Sequence, residues 1–352
     1  MAQSKLDNIF KELNKKSGFE DVAVRGIDLQ QEKPRYIKFP CPQINWCTYG
    51  GFRLNKIHQF CGPEGGGKTT TALVAAGIYQ KQSDAKAVIY VDTEHAFDPV
   101  YTQKLGVDLD NLRVWQPTNN TAEEIFDTCI EFIRSEECGI LIVDSIVEME
   151  SESDSKKDLD EGFKMGGNAA LIGRFCHRAT ELLKRCDCTV FLINQVRDSM
   201  DPYENYTMPG GRRLKHLSGY IYILEKGGLL TDKYELKGKN YESPLAGQTC
   251  FYIHKAKTFA PDRRKGTYTI NFHNGPDWVY DLFNFACVHG IIDARGAWYF
   301  PGHDKDGVVW TDKFDKINGK LAMIQWLRDN PQETQALWDM CYELCLEGAV
   351  SF

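Results

Sequence analysis

Gly62-Pro63-Glu64-Gly65-Gly66-Gly67-Lys68-Thr69-Thr70 fits the pattern G-x-x-x-x-G-K-[ST], and its flanks decide the fold. Ahead of it, Ile57-His58-Gln59-Phe60-Cys61 is a short, largely apolar run that reads as a buried strand. Behind it, Thr71–Tyr79 carries apolar residues at helical spacing. Strand, glycine loop, helix is the context in which this pattern cradles phosphate. The glycines let successive backbone N–H groups turn inward around phosphate oxygens, and the helix N-terminus adds its positive end. Lys68 supplies a charge to the β- and γ-phosphates of a nucleotide, and the Thr69 hydroxyl can ligate Mg²⁺. A flexible glycine turn is the alternative, but it requires neither Lys-Thr in register nor both flanks.

Working outward, the chain from about residue 46 alternates strand and helix. Ala87–Asp92 and Leu112–Gln116 read as strands. Thr121–Glu136 reads as a helix opened by a capping box, with Thr121 as N-cap and Glu124 three residues on. Gly139–Asp144 is a fully apolar strand ending in acid; Asn168–Lys184 reads as a helix and Thr189–Asn194 as a strand. Such alternation predicts an α/β core with a mostly parallel, twisted sheet covered on both faces. Tyr220–Leu224, Gln248–Lys255 and Thr267–Phe272 are closely spaced strands expected to extend the sheet antiparallel. Three domains are expected. Residues 1–45 form a lead segment, with an amphipathic helix over 4–17 and a strand at Tyr36–Phe39. The core spans 46–276, and a small α+β domain spans 277–352.

Composition fits a globular protein: 352 residues, 42% apolar and 26% charged. No apolar run reaches membrane-spanning length and the first residues are polar, so cytoplasm is the default expectation. The net charge of −7 argues against general attraction to nucleic acid but leaves room for a local groove. Arg212-Arg213-Leu214-Lys215-His216 and Arg263-Arg264-Lys265 are the densest basic clusters. The twelve cysteines show no C-x-x-C and read as reduced packing residues; Cys186 and Cys188 are expected at a strand start, pointing to one side.

Acidic and amide residues end three of the apolar strands. Asp144, closing Ile140-Leu141-Ile142-Val143, suits a carboxylate that accepts from a Mg²⁺-bound water or from Thr69. Glu94, just past Asp92, is placed to orient or deprotonate an attacking water, against the alternative of an acidic loop facing solvent. Asp98 and Tyr101 suit adenine, Tyr101 by stacking; an N-cap turn with a surface Tyr is the other reading. Gln195, closing Thr189–Asn194, can hydrogen-bond a γ-phosphate and report it to the polar, aromatic stretch 196–211. That stretch and 151–166 are long enough to be functional loops. Aromatics among Gly, Asn and Arg suit stacking on bases and holding backbone phosphates. Lys255 and Lys257 alternate on a strand and so share a face; on pattern alone the preferred reading is a pair of solvated edge lysines.

Taken in order, these residues resemble the RecA-type DNA strand-exchange recombinases, including phage relatives of the UvsX type. The resemblance runs through Gly62–Thr70, Asp92-Thr93-Glu94-His95-Ala96-Phe97-Asp98-Pro99, Leu105-Gly106-Val107-Asp108 and Val143-Asp144-Ser145. It continues through Ile193-Asn194-Gln195-Val196-Arg197, Gly210-Gly211 and Lys255-Ala256-Lys257 to Gly296-Ala297-Trp298-Tyr299 and Trp326–Pro331. It implies a RecA-like ATPase core and an ATP- and Mg²⁺-dependent recombinase that forms helical filaments on single-stranded DNA and pairs it with homologous duplex. Gly62 to Thr70, Asp98, Tyr101 and Asp144 would bind ATP, with Thr69 and Asp144 at the metal. Lys68, Glu94 and Gln195 would be catalytic. Lys255 and Lys257 would reach the ATP of an adjacent subunit, and the N-terminal helix and strand would dock on a neighbour. Met165, Gly166, Arg197, Met200, Tyr203, Tyr206, Gly210, Gly211, Arg212 and Arg213 would hold DNA. Asp198, Asp201 and Glu204 in the second loop, Arg212-Arg213 after the glycine pair, and His216 at an apolar interface position depart from the bacterial pattern and lean toward a phage-like member. A ring-shaped helicase and an ATP-binding regulatory assembly are the rival readings.

Overall fold

The structure, a computed structural model, describes residues 5–17, 23–27, 34–147, 149, 151–152, 167–198, 206–236, 239–259, 262–271, 275–304 and 306–347. Residues 36–348 make one compact unit and residues 1–35 belong to another. Strands are labelled in chain order: β1 Tyr36–Ile37, β2 Phe52–Arg53, β3 Ile57–Gly62, β4 Ala87–Asp92, β5 Leu112–Trp115, β6 Cys138–Asp144, β7 Thr189–Gln195, β8 Arg197–Asp198, β9 Tyr206–Thr207, β10 Tyr220–Leu236, β11 Lys239–Ala256, β12 Lys265–Asn271, β13 Gly275–Pro276, β14 Ile292–Arg295, β15 Trp298–Pro301 and β16 Ile317–Asn318.

Among the described residues a nine-stranded sheet runs β13-β12-β11-β10-β3-β7-β6-β4-β5. From β10 to β5 every pairing is parallel; β11, β12 and β13 extend it antiparallel. The expected mostly parallel sheet with an antiparallel extension is therefore observed, except that Tyr220–Leu224, expected in the antiparallel part, joins parallel beside β3 and the antiparallel part starts at β11. Alternation along the strands divides the core between the two faces. Ile140 and Ile142 join the cluster under helix Lys68–Tyr79, while Leu141 and Val143 join the cluster under helices Ala122–Arg134 and Gly167–Leu182. The Thr121 capping box forms with both of its hydrogen bonds.

Four local expectations change. Residues 36–45 are core rather than part of a separate lead segment: β1 pairs with β2, and Ile37, Phe39 and Ile44 are buried. Helix Pro42–Thr48 runs across the expected 45/46 boundary, and its Asn45 amide closes on Phe39 through N–H (3.0 Å) and C=O (2.7 Å). Second, β10 and β11 are far longer than expected and pair from Tyr220↔Ala256 out to Leu236↔Lys239. The register shifts beside Gly227-Gly228 and Pro244 absorb the residues that break the sequence pattern. Third, Cys186 and Cys188 precede β7, in a turn where Asp187 has φ 52°. Both thiols pack in the core. Fourth, the stretch expected as a loop over 196–211 has paired flanks, β8 with β9, and helix Gly211–Leu217 begins at its last residue; residues 199–205 lie outside the described residues.

Within 277–347, helices Trp278–Val288, Lys320–Asp329 and Pro331–Leu346 and the small sheet β14-β15-β16 enclose their own core, including Leu282, Ile292, Met323 and Leu337. In the N-terminal unit, helix Lys5–Ser17 leaves Leu6, Ile9 and Leu13 exposed.

Candidate nucleotide site

Sheet register assembles the site. Gly62 pairs with Gln195 and Asp92 with Asp144, so four chemistry-bearing strand ends share the C-terminal edge of the parallel strands. That edge is where open α/β sheets bind ligands. Gly62 and Gly67 serve the loop by lacking side chains: a Cβ on Gly62 would lie 1.9 Å from the Leu224 carbonyl oxygen, and one on Gly67, at φ 87°, 2.7 Å from Thr249 Oγ1. The phosphate loop thus rests directly on β10 and β11.

Glu64, Gly65, Gly67, Lys68, Thr69, Thr70, Glu94, Tyr101, Asp144 and Gln195 line one pocket of about 300 Å³. Lys68 is 7% exposed and donates to the carbonyls of Gly62 (2.9 Å) and Pro63 (2.8 Å). Burial lowers its pKa, opposed by the nearby charges of Asp144 and Glu94. Thr69 Oγ1 donates to Asp144 Oδ2 at 2.7 Å, and Tyr101 Oη lies 3.2 Å from Thr70 Oγ1. Gln195 Nε2 donates to Glu94 Oε1 at 3.1 Å. Asp98 is the N-cap of helix Pro99–Lys104, its Oδ1 accepting from Val100 N and Tyr101 N; that capping turn aims Tyr101 from the helix's first turn.

Residues that pattern reading passed over complete the site. Tyr90, 3% exposed on β4, donates to the same Asp144 Oδ2 at 2.7 Å. Burial and the adjacent Asp144 push its phenol up, so it is a donor. Burial raises the Asp144 carboxyl, and the hydrogen bonds from Thr69 and Tyr90 pull it back toward the ionised form. Thr93 Oγ1 accepts from Ser145 N (2.8 Å) and lies 3.0 Å from the Asp144 carbonyl, clamping the Glu94 loop to the end of β6. Asp92 accepts from Ala96 N, Phe97 N and Gln116 Nε2 and shapes the same loop. From the hairpin side, Lys226, Gly247, Gln248 and Thr249, with Ile270, close the pocket wall. The only sequence signal for Tyr90 is a polar atom on a buried strand two residues before Asp92; the hairpin residues carry none.

Not every predicted residue lies at this pocket. Lys255 pairs with Ile221, which pairs with Gln59, three residues short of Gly62; Lys255 and Lys257 are thus absent from the pocket of their own chain. Lys255 Nζ donates to the Lys215 and His216 carbonyls (2.9 Å for the second), and Lys257 Nζ to Leu217 O at 3.4 Å, both at the C-terminal end of helix Gly211–Leu217. Burial, then Lys257, lowers the Lys255 pKa to about 8. Gly210 (φ 96°) and Gly211 (φ 74°) start that helix, Arg212 and Arg213 are exposed on it, and Arg197 pairs with Thr207 beside Tyr206. Asn194 Nδ2 reaches the Pro209 carbonyl at 3.0 Å. Met165, Gly166, Met200 and Tyr203 lie outside the described residues. No helix among the described residues is long and apolar enough to cross a membrane.

Comparison with known proteins identifies the family. The model of the RecA N-terminal domain matches residues 6–249. The chain is similar to Protein RecA of Haemophilus ducreyi, 30% identical over 290 residues (82% of this chain, 72% of that one). It is similar to Protein RecA of Staphylococcus carnosus, 28% identical over 335 residues (95% and 88%), and to that of Paracoccus denitrificans, 30% over 293 residues (82% and 75%). A match of this extent over a phosphate-loop core of this topology means that the chain belongs to the RecA family, the DNA-dependent ATPases that carry out homologous recombination and repair.

Proposed function

We propose that this chain hydrolyses ATP at the β3–β4–β6–β7 edge and uses that cycle to form and release filaments on single-stranded DNA during homologous pairing and strand exchange. The carrying observation is the convergence of Lys68, Thr69, Asp144, Glu94 and Gln195 on one pocket. Backbone N–H groups of the glycine loop and the N-terminus of helix Lys68–Tyr79 receive the triphosphate, and Lys68 turns from the Gly62 and Pro63 carbonyls to the β- and γ-oxygens. Glu94 orients and deprotonates the attacking water. Tyr101 stacks on the base, and Asp98 Oδ2 is left for its amino group while Oδ1 caps the helix.

The Thr69 hydroxyl and Asp144 carboxylate, 2.7 Å apart, are hard oxygen donors of the kind Mg²⁺ takes. Such an ion, when bound, neutralises developing charge on the phosphates. A pocket of about 300 Å³ is at the low end for ligand sites, which run ~300–1,000 Å³. This supports a site finished by a neighbour, whose Lys255 and Lys257 would meet the triphosphate. The exposed Leu6, Ile9 and Leu13 stripe of the N-terminal helix suits docking on that neighbour.

For DNA, Arg197, Arg212 and Arg213 supply charge, Tyr206 a stacking ring, and the Gly210-Gly211 turn a close backbone approach. Residues 151–166 and 196–211 are the proposed DNA loops. Stimulation of ATP hydrolysis by single-stranded DNA tests the reading. A basal rate unchanged by saturating poly-dT would favour the ATP-binding regulatory assembly instead.

A further inference from the structure

Asp144 has two carboxylate oxygens, and the structure treats them differently. Oδ2 accepts from both Thr69 Oγ1 and Tyr90 Oη, each at 2.7 Å; Oδ1 accepts nothing from the described residues. Thr69 belongs to the phosphate loop, but Tyr90 comes from β4, one strand over, where Tyr90 pairs with Ile142 and Asp92 with Asp144. Both side chains are almost fully buried, Tyr90 at 3% and Asp144 at 5% exposure. A carboxylate on a strand end has two soft torsions, and a single donor leaves it free to swing about that contact. Donors from two separate elements on one oxygen fix its plane.

Packing alone does not call for the hydroxyl. The Tyr90 ring sits among core residues and lies 5.4 Å from the Phe97 ring, contacts a phenylalanine would keep. A buried phenol costs free energy unless it finds a partner. Its partner here is the charged group at the phosphate loop's hydroxyl.

We propose that Tyr90 is a positioning residue for nucleotide-dependent cation binding: with Thr69 it holds Asp144 Oδ2, so that Oδ1 remains presented to a hydrated divalent cation beside the phosphate loop. Tyr90 touches neither nucleotide nor cation; it acts through Asp144. This rests on the reading of Asp144 as the acceptor for Mg²⁺-bound water.

Tyr90→Phe keeps the ring and removes the donor. Binding of a fluorescent ATP analogue is titrated with MgCl₂ and repeated in EDTA, with a thermal melt of each protein. Tyr90→Phe should raise the half-saturating Mg²⁺ by about three- to tenfold, the scale of one ordinary net hydrogen bond, since Thr69 still holds the carboxylate, with affinity in EDTA within twofold of wild type. Unchanged Mg²⁺ dependence, or equal loss of affinity with and without Mg²⁺, would overturn the proposal and leave Tyr90 a packing residue. Asp144→Asn separates the two levels. If it too leaves the Mg²⁺ dependence unchanged, the reading of Asp144 fails; if it raises the requirement while Tyr90→Phe does not, only the role of Tyr90 fails. Should Tyr90→Phe not fold, the Tyr90→Phe/Asp144→Asn double variant decides. Regained folding means that the lost phenol had left a buried carboxylate short of a donor, as proposed; a double variant that stays unfolded assigns Tyr90 to packing.

Discussion

Gln195 and Glu94 are joined across the mouth of the nucleotide pocket, Gln195 Nε2 donating to Glu94 Oε1 at 3.1 Å. The preceding residue points elsewhere, as alternation on a strand demands: Asn194 Nδ2 donates to the Pro209 carbonyl at 3.0 Å. Two consecutive amides of β7 thus link the carboxylate proposed to activate water with the far end of the stretch proposed to hold DNA. A γ-phosphate that takes the Gln195 amide from Glu94 would free the carboxylate and tug the strand end that anchors Pro209.

Lys68 and Glu94 should fail differently. Lys68→Ala removes the main counter-charge of the phosphates, and nucleotide binding should be lost. Glu94→Gln keeps a partner for Gln195 and should preserve binding while lowering turnover by roughly two to four orders of magnitude. Isothermal titration with ATP beside steady-state hydrolysis reads both. Equal loss of affinity in the two variants would show that Glu94 does not activate the water.

How much of this is legible in the sequence follows from where the information sits. The phosphate loop, the strands ending at Asp92 and Asp144, and the Thr121 cap are local patterns, and each is readable within a short stretch of chain. The partners of Tyr90 and Thr93 are not, because a Tyr on an apolar strand, or a Thr just past its end, shows no partner until the neighbouring strand's register is known. The long β10–β11 arm is hidden by Gly227-Gly228 and Pro244, which read as ends of strands although the ladder absorbs them as irregularities. The core placement of 36–45 depends on the Asn45 amide closing on the Phe39 backbone, a tertiary contact with no periodicity.

A basic groove on an acidic chain should show in salt dependence. Arg212 is exposed on the helix that opens at Gly210-Gly211, and the chain's net charge is −7. Binding to poly-dT should weaken steeply with salt. Arg212→Ala should flatten the slope of log affinity against log salt by about 0.7 for each phosphate that the side chain neutralises. An unchanged slope would place Arg212 outside the groove.

Asp281 should make folding pH-dependent. Its Oδ2 accepts from Thr269 N at 2.9 Å, and burial pushes its carboxyl up to about 7. An unfolded carboxyl gives up its proton near 4, so between about pH 4 and pH 7 the folded chain binds more protons than the unfolded one. Stability must then fall as pH rises through that window. Asp281→Asn keeps an acceptor for Thr269 and removes the titration. Its melting temperature relative to wild type should rise between pH 4.5 and pH 8, by the equivalent of up to ~4 kcal/mol for a three-unit shift. A pH-independent difference would show that Asp281 is ionised in the folded chain.

Lys255 and Lys257 should act on the neighbouring subunit's nucleotide. In their own chain they hold the C-terminal carbonyls of helix Gly211–Leu217, two strands across and three residues back from Gly62. Cations suit a helix C-terminus, so a purely local capping role is the competing account. Capping and trans-contact predict different things. If Lys255 only caps, Lys255→Ala should loosen the helix that carries Arg212, weaken DNA binding, and behave identically whatever its neighbours are. If it completes a shared site, Lys255→Ala should bind ATP as weakly as the wild-type monomer does, and lose DNA-stimulated hydrolysis and ATP-dependent filament growth together. The deciding measurement mixes Lys255→Ala with Lys68→Ala, each inactive alone. Interfaces that pair the intact phosphate loop of the first with the intact Lys255 of the second would carry a whole site, so hydrolysis should recover to a fraction set by the mixing ratio. A mixture that stays inactive while the two proteins co-sediment on poly-dT would return Lys255 to its own helix.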